Sequence, residues 1–315
     1  MTVAAGALDL SAIAGKSPKR LFWERFRQDK AALVGAGVVV VLIVIAIAGG
    51  PVAASVTGHG QNATYETMTD EFGVPKGPNS RFYFGVDSSG RDLFVRTMYG
   101  ARTSLVVGVV ASAFAVLIGL VVGLLAGYFG GWIDTLLSRT ADVMLAVPQL
   151  LIAIGIVAAC STTKEGCVAG LVQPGLPIVI AVITFFSWSY IARIVRGFTL
   201  SLREKEFVES ARSLGASNMR ILATEILPNL VGPLIVYSTL LIPTNILFEA
   251  ALSYLGLGVP PDQASWGQIL SEASGLYDVA WWLMVFPGAA LILTTLAFNL
   301  LGDGLRDALD VRSER

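Results

Sequence analysis

The chain has 315 residues, of which 54% are hydrophobic and only 14% are charged, and its mean hydropathy is +0.69. Soluble domains are usually about a quarter charged, so this composition excludes an ordinary soluble fold and requires a lipid bilayer. The formal net charge of −1 excludes the global basic field that would attract nucleic acid.

Six long apolar runs are candidate membrane spans, because roughly 20 residues of helix cross the hydrocarbon core. They cover residues 31–56, 104–129, 137–160, 176–195, 230–257 and 282–301. The sequence therefore predicts an all-α polytopic membrane protein with about six transmembrane helices.

Residues 1–30 form a polar N-terminal tail with an amphipathic segment in front of the first span. Phe22, Trp23 and Phe26 lie among charged residues, which is typical of a short helix along the inner headgroups. This leader and the first span also resemble a secretory signal, but the apolar stretch is longer than the roughly 7–15 residues of a signal. A membrane span is the preferred interpretation.

Basic residues are distributed unevenly between the loops. With the N-terminus inside, 16 of the 22 Lys and Arg residues fall in inner segments. Because cytoplasmic segments retain positive charge, both termini are predicted to be cytoplasmic.

Residues 57–103 form the longest outer segment, and their Pro, Gly, Asn and Asp content indicates loops and turns. The segment is too short to be a substrate-binding domain. In its second half a glycine turn is followed by Asp92 and Arg96, whose spacing suits a helical ion pair. The candidate residues of this loop are Asp87, Gly90, Arg91, Asp92 and Arg96.

Glycines recur at every fourth position in the second span. Gly119, Gly123 and Gly127 share one helical face, which allows a neighbouring helix to approach closely. The pattern predicts a helical bundle and not a single anchor.

Two carboxylates lie within predicted spans. Asp142 is one turn from Arg139, so the sequence predicts an ion pair near the inner border. Glu249 is the most interior carboxylate, and an intramembrane carboxylate is a functional candidate by default. A hydrogen-bonded packing role for Glu249 is the alternative.

The two cysteines of the chain, Cys160 and Cys167, fall at the outer end of the third span. A disulfide is compatible with an oxidising exterior compartment. Two unpaired thiols at a membrane border remain the alternative, since sequence shows no geometry.

Residues 203–228, which we call the elbow, are too charged to span a membrane and fall on the cytoplasmic side. Charged pairs three residues apart, Arg203 with Glu206 and Glu209 with Arg212, predict a first short helix. Gly215 is expected to end that helix in the left-handed conformation. Asn218 is expected to cap a second helix, which Pro228 is expected to stop.

The elbow resembles a motif of permease subunits of ATP-binding-cassette (ABC) importers. The family pattern is Glu-Ala-Ala, three residues, Gly, nine residues, Ile, any residue, Leu, Pro. This chain has Glu209-Ser210-Ala211, Gly215 and Ile226-Leu227-Pro228 at the corresponding spacing. It differs from the pattern at Ser210 and at Glu225. The residues expected to couple to the ATPase are Glu209, Ser210, Ala211, Leu214, Gly215, Ala216, Ile226, Leu227 and Pro228.

Two further stretches resemble the dipeptide/oligopeptide/nickel subfamily. Residues 84–105 are similar to its outer-loop signature, differing at Phe84 and Val86. Residues 249–261, followed by 265–267, are similar to its C-type permease subunit. The resemblance implies a type I ABC importer permease fold, with residues 104–315 as the permease core.

This resemblance also implies partners. A homologous B-type permease subunit, two ATPase subunits that bind ATP and Mg, and an extracytoplasmic solute-binding protein would act with this chain in a prokaryotic inner membrane. The chain has no Gly-x-x-x-x-Gly-Lys-Ser/Thr phosphate loop, so it is expected to bind no cofactor and to be no enzyme itself. The implied solutes are di- and oligopeptides, with nickel or another small solute as the alternative.

Two other classes fit the sequence less well. An ion-coupled secondary transporter would be expected to have internal repeats and several buried charges, whereas only Glu249 and Asp142 are candidates. A membrane enzyme would need reactive groups, but the chain has a single histidine, His59, and no metal-ligand or nucleophile pattern.

Overall fold

A computed structural model describes residues 18–71, 73–161, 167, 170 and 172–309. The proposed tail residues 1–17, Lys164 and residues 310–315 lie outside this part of the chain. The described helices are α1 (Pro18–Gln28), α2 (Lys30–Val44), α3 (Gly50–Thr57), α4 (Leu93–Phe129), α5 (Gly131–Ala146), α6 (Gln149–Ser161), α7 (Leu176–Arg203), α8 (Glu206–Ser213), α9 (Asn218–Arg220), α10 (Leu227–Tyr254), α11 (Trp266–Ala273) and α12 (Trp282–Leu309).

Five helical segments of the described chain are long and apolar enough to cross a membrane, and a bent pair brings the number to six. The five are 30–57, 93–129, 176–203, 218–254 and 282–309. The first contains a π-helical turn, Ile45–Gly49, between α2 and α3. The predicted all-α membrane fold with about six spans is confirmed.

The second span begins earlier than residue 104, the predicted start. Helix α4 starts at Leu93, because the Asp92 side chain accepts hydrogen bonds from the backbone N–H groups of Phe94 and Val95. This N-cap gives part of the predicted outer loop a helical conformation.

The third span is not one straight helix. Helices α5 and α6 are bent by 87° at a short break. Pro148 follows Val147, which adopts an extended conformation with ψ of 147°. The residue before a proline is disfavoured in the α region, which explains the bend.

Helix α4 packs along α7 through the predicted glycine face. A Cβ atom at Gly123 would lie 2.6 Å from the carbonyl oxygen of Ala192, and one at Gly127 would lie 2.6 Å from Thr199. These distances are shorter than normal carbon contacts, so only glycine allows α4 and α7 to approach this closely.

The described ends of the chain lie at the same end of the bundle as the elbow. Gly304 of α12 contacts Ala32 at the start of α2, and Gly232 of α10 contacts Leu309. Phe26 of the amphipathic α1 packs against Ala308. Trp23 is exposed, and the Arg27 guanidinium lies over its ring in a cation–π contact. This end is called the inner end, following the charge distribution.

Candidate functional site

The first helix of the elbow, α8, ends at the glycine that the sequence indicates. Gly215 has φ of +82°, and its N–H donates to the carbonyl of Arg212. The N–H of Ala216 donates to the carbonyl of Ala211, which completes a Schellman motif. No atom lies within 4 Å of a Cβ at Gly215, so backbone conformation and not space requires glycine there.

The start of the second elbow helix differs from the prediction. Ser217, and not Asn218, is the N-cap, since its hydroxyl accepts from the backbone N–H of Arg220. The Asn218 side chain instead accepts a hydrogen bond from the hydroxyl of Tyr128 at 3.0 Å. Asn218 therefore attaches the elbow to the inner end of α4.

Pro228 does not stop this helix, contrary to expectation. The chain passes from α9 through a π-helical turn, Ile221–Ile226, directly into α10, and Leu227 is helical with φ of −55°. Pro228 lies in the first turn of α10, where a proline is tolerated. The elbow is thus continuous with a membrane-spanning helix.

Buried apolar side chains hold the elbow against the bundle. Val208, Ile221 and Ile226 are each 0% exposed and belong to one cluster with Tyr128. Arg203 adds a hydrogen bond to the carbonyl of Gly127 at 2.9 Å. Its ion pair is with Glu204, not with Glu206 as the spacing predicts. Movement of the elbow must therefore move α7 and α10.

The outward face of the elbow is apolar at its tip. Leu214 is 88% exposed and Met219 is 70% exposed. Of the other predicted coupling residues, those exposed to solvent are Glu209, Ser210, Gly215 and Pro228, those half-buried are Ala211, Ala216 and Leu227, and Ile226 is buried. Exposed apolar side chains on a rigid support suit a protein contact.

At the opposite end of the bundle, Asp87 organises a tight turn. Its carboxylate accepts from the backbone N–H groups of Ser89 and Arg91, both at 2.9 Å. Gly90 has φ of +74°, and a Cβ there would lie 2.8 Å from the carbonyl oxygen of Tyr65. The turn therefore needs glycine for both conformation and space.

Two arginines connect this turn to α11. Arg91 forms ion pairs with Asp87 at 2.7 Å and with Glu272 at 2.8 Å. Arg96 is 0% exposed, lies 3.2 Å from Asp87, and donates to Gln268 at 2.7 Å. The loop before α4 is thereby joined to the segment after α10. We call Asp87, Arg91, Arg96, Gln268 and Glu272 the outer network.

Asp92 does not form the predicted ion pair with Arg96. Its carboxylate caps α4 and also lies 2.6 Å from Nδ1 of His59. The His59 ring is buried and stacks on Phe82 with centroids 4.4 Å apart. The Asp92 carboxylate therefore binds the backbone at the start of α4 and His59, and not Arg96 as the spacing predicted.

Sequence reasoning missed His59, Gln268 and Glu272 as partners of the outer loop. The two α11 residues lie more than 170 positions from Arg91 and Arg96 in the chain. The sequence offered one signal for Glu272, which is the one charged residue of α11. The sequence gave no indication that Glu272 would pair with Arg91.

Both predicted intramembrane carboxylates have polar partners. Glu249 is 0% exposed and accepts hydrogen bonds from Ser104 at 3.1 Å and Ser253 at 2.6 Å. Asp142 lies 3.9 Å from Arg139 but only 2.6 Å from Arg193 of α7. The closer contact joins two helices that the sequence did not pair.

Cys160 and Cys167 are joined in a disulfide, with their Cα atoms 5.1 Å apart. The bond lies near the outer end of α6, at the start of the connection to α7. Of the two alternatives left open by the sequence, the structure has the bonded one.

Comparisons with known proteins agree with this architecture. The family described as "Binding-protein-dependent transport system inner membrane component" matches residues 119–315, and the "N-terminal TM domain of oligopeptide transport permease C" matches residues 17–69. The chain is 44% identical to proteins named glutathione transport system permease protein GsiD from Escherichia coli O6:K15:H31 and from Shigella boydii serotype 4. Each alignment covers 94% of this chain and 91% of the relative.

Solved structures show the same fold at lower identity. The inward-facing MetNI methionine ABC transporter matches in one crystal form with a TM-score of 0.53 at 21% identity, covering 68% of this chain and 96% of that chain. In a second crystal form the TM-score is 0.50 at 20% identity, covering 65% and 94%. This chain therefore belongs to the binding-protein-dependent transport system inner membrane component family, as an ABC importer permease of the peptide/nickel transport subfamily.

Proposed function

We propose that the chain is the C-type permease of an ATP-driven importer of short peptides in a prokaryotic inner membrane. Its partners are a homologous B-type permease, two ATPase subunits that hold ATP and Mg, and an extracytoplasmic binding protein. The similarity to glutathione transport permeases supports a small peptide as the solute. Nickel or another small solute is the alternative, because a separate binding protein selects the solute.

The observation that carries the proposal is the form of the elbow. Its tip exposes Leu214 and Met219, whereas Val208 and Ile221 fix its base to α4, α7 and α10. An ATPase groove that receives the tip can pull on two spanning helices at once. Closure of the ATPase pair then changes which side of the membrane the solute pathway faces.

The outer network supports the proposed contact with the binding protein. It fixes the loop before α4 to α11 through ion pairs of Arg91 and Arg96 with Asp87 and Glu272. Such a loop offers a docked binding protein a surface that needs no ordering on contact, which lowers the entropic cost of docking.

A single-cysteine cross-link tests the elbow contact. The two native cysteines are bonded to each other, so Leu214→Cys introduces the one free thiol of the chain. We expect a short thiol cross-linker in native membranes to join this variant to the ATP-hydrolysing subunit. Arg306→Cys, exposed at the inner end of α12, is the matched control and should not react with that subunit. Absence of the ATPase from the Leu214→Cys product would contradict the proposal.

A further inference from the structure

A charged pocket lies between α4, α5 and α7 near the inner end, and neither the elbow nor the outer network uses it. Its volume is about 300 Å³, within the range of small-ligand sites. Its charged lining consists of Arg139, Arg193, Arg196, Asp134 and Asp142. Thr135 and Ser138 add hydroxyl groups to the wall.

Two ion pairs cross this pocket from α5 to α7. Arg196 binds Asp134 with Nη2 and Oδ2 2.8 Å apart, and Arg193 binds Asp142 at 2.6 Å. Arg139 is 80% exposed and lies 3.9 Å from Asp142, which Arg193 already occupies. The pocket therefore has one positive charge more than its carboxylates neutralise, and both signs are within reach of one small ligand.

These charges lie near the inner border of the hydrocarbon core. Arg193 is ten residues before the end of α7, about 15 Å along the axis at 1.5 Å per residue. The 28-residue α7 is longer than the hydrocarbon core, roughly 30 Å thick, and its predicted span of residues 176–195 places Arg193 at the inner border of that core. Intramembrane charges face a bundle interior or a water-filled cavity. The Arg193 side chain is 58% exposed in the single chain, so a small ligand can reach it from this face.

We infer that this pocket binds the charged termini of a zwitterionic peptide during transport. The peptide carboxylate binds Arg193 and Arg139, and the peptide ammonium group binds Asp142. The peptide thus replaces the Arg193–Asp142 ion pair and leaves the Arg196–Asp134 ion pair in place. In the empty pocket Arg139 lies 3.9 Å from Asp142, which Arg193 occupies at 2.6 Å, so the peptide carboxylate gives Arg139 a closer partner. Asp142 exchanges Arg193 for the ammonium group and is not left as an isolated charge. A solute of mixed charge can pair with Asp142 as well as with the arginines, whereas a purely anionic lipid headgroup can pair only with the arginines.

The pocket is also connected to the elbow. Helix α7 carries Arg193 and Arg196 and ends at Arg203, and α8 begins three residues later at Glu206. A shift of the elbow therefore moves these arginines relative to Asp134 and Asp142 of α5. This movement opens the site for release towards the inner end.

Binding of blocked peptides to the whole complex tests the inference, which rests on the proposed function. The four-subunit complex in lipid nanodiscs, without binding protein, is titrated with tritium-labelled trialanine, N-acetyl-trialanine and trialanine amide. Wild type should bind trialanine about tenfold more tightly than either blocked form. Arg193→Gln should lose the preference for the free carboxylate, and Asp142→Asn the preference for the free amine. Arg306→Gln is the matched control and should keep both.

Other outcomes would contradict the inference. Unchanged peptide preferences in Arg193→Gln and Asp142→Asn would overturn it. It would also be overturned if Arg193→Lys, which keeps the charge, lost the preference for the free carboxylate as completely as Arg193→Gln. Anionic phospholipid that copurifies with wild type but not with Arg193→Gln, together with unchanged trialanine affinity, would assign the pocket to lipid. Failure of the wild-type complex, supplied with ATP and binding protein in proteoliposomes, to import any peptide would instead overturn the proposed function itself.

Discussion

At the residue scale, Gly215 has the clearest single-residue requirement in the elbow. Its φ of +82° is unfavourable for other residues by roughly 1–2 kcal/mol, and more for a β-branched side chain. The open space around it means that added bulk alone causes no clash. The position therefore separates a conformational requirement from a steric one.

We expect Gly215→Val to reduce solute uptake at least tenfold while the complex still inserts, assembles and hydrolyses ATP, because the tip of the elbow changes direction. Gly215→Asn should retain most uptake, since asparagine tolerates the left-handed conformation. ATPase and uptake rates of the same proteoliposomes give the ratio to compare. Gly37→Val, also in open space but at negative φ, is the control. Wild-type uptake by Gly215→Val would contradict the role of the bend.

At the element scale, the outer network joins two segments that are far apart in the chain. Arg96 is 0% exposed, so its charge needs the carboxylates of Asp87 and Glu272 nearby. Removing one carboxylate from such a network is costly, because the remaining charge is buried without its partner. The network thus couples the order of the loop before α4 to that of α11.

We expect Glu272→Gln to lower the stimulation of ATPase activity by the binding protein about five- to thirtyfold, since loss of a charged contact is worth roughly 1–2 kcal/mol. ATPase activity without binding protein should not change, because the elbow lies at the opposite end. Asp278→Asn, at an exposed acidic residue six positions away, is the control. Equal stimulation in Glu272→Gln and wild type would show that the network only supports the fold.

At the scale of the whole molecule, the chain has the exposed apolar tip of the elbow at one end of the helical bundle and the outer network at the other. The elbow is continuous with α10 and follows α7, while the outer network holds the start of α4 and α11. Tight packing of α4 on α7 through the glycine face links the two ends. Such an arrangement suits a permease whose solute is delivered on one side and whose energy arrives on the other.

We expect the complete complex to import glutathione and other short peptides when ATP and its binding protein are supplied. Uptake of labelled dipeptides, glutathione, oligopeptides and Ni²⁺ into proteoliposomes gives the comparison. A complex without ATP is the control and should import none of them. Uptake of Ni²⁺ with no uptake of any peptide would favour the alternative solute.

Features that depend on neighbouring residues could be predicted from the amino-acid sequence. Hydrophobic runs give the spanning helices, since a helix satisfies its own backbone hydrogen bonds in lipid. Spacing gives Gly215 as the end of α8 and the glycine face of α4, because both follow from local backbone geometry. The resemblance of the elbow and the outer loop to ABC importer permeases likewise rests on short sequence motifs.

Contacts between groups far apart in the chain could be identified only from the folded structure. Asp92 was assigned to Arg96 by spacing, but it binds the α4 backbone and His59, and Arg96 reaches Gln268. The charged pocket likewise depends on Arg193 of α7 meeting Asp142 of α5. A buried charge takes the partner that packing brings closest, and packing depends on contacts across the whole chain that no local pattern encodes.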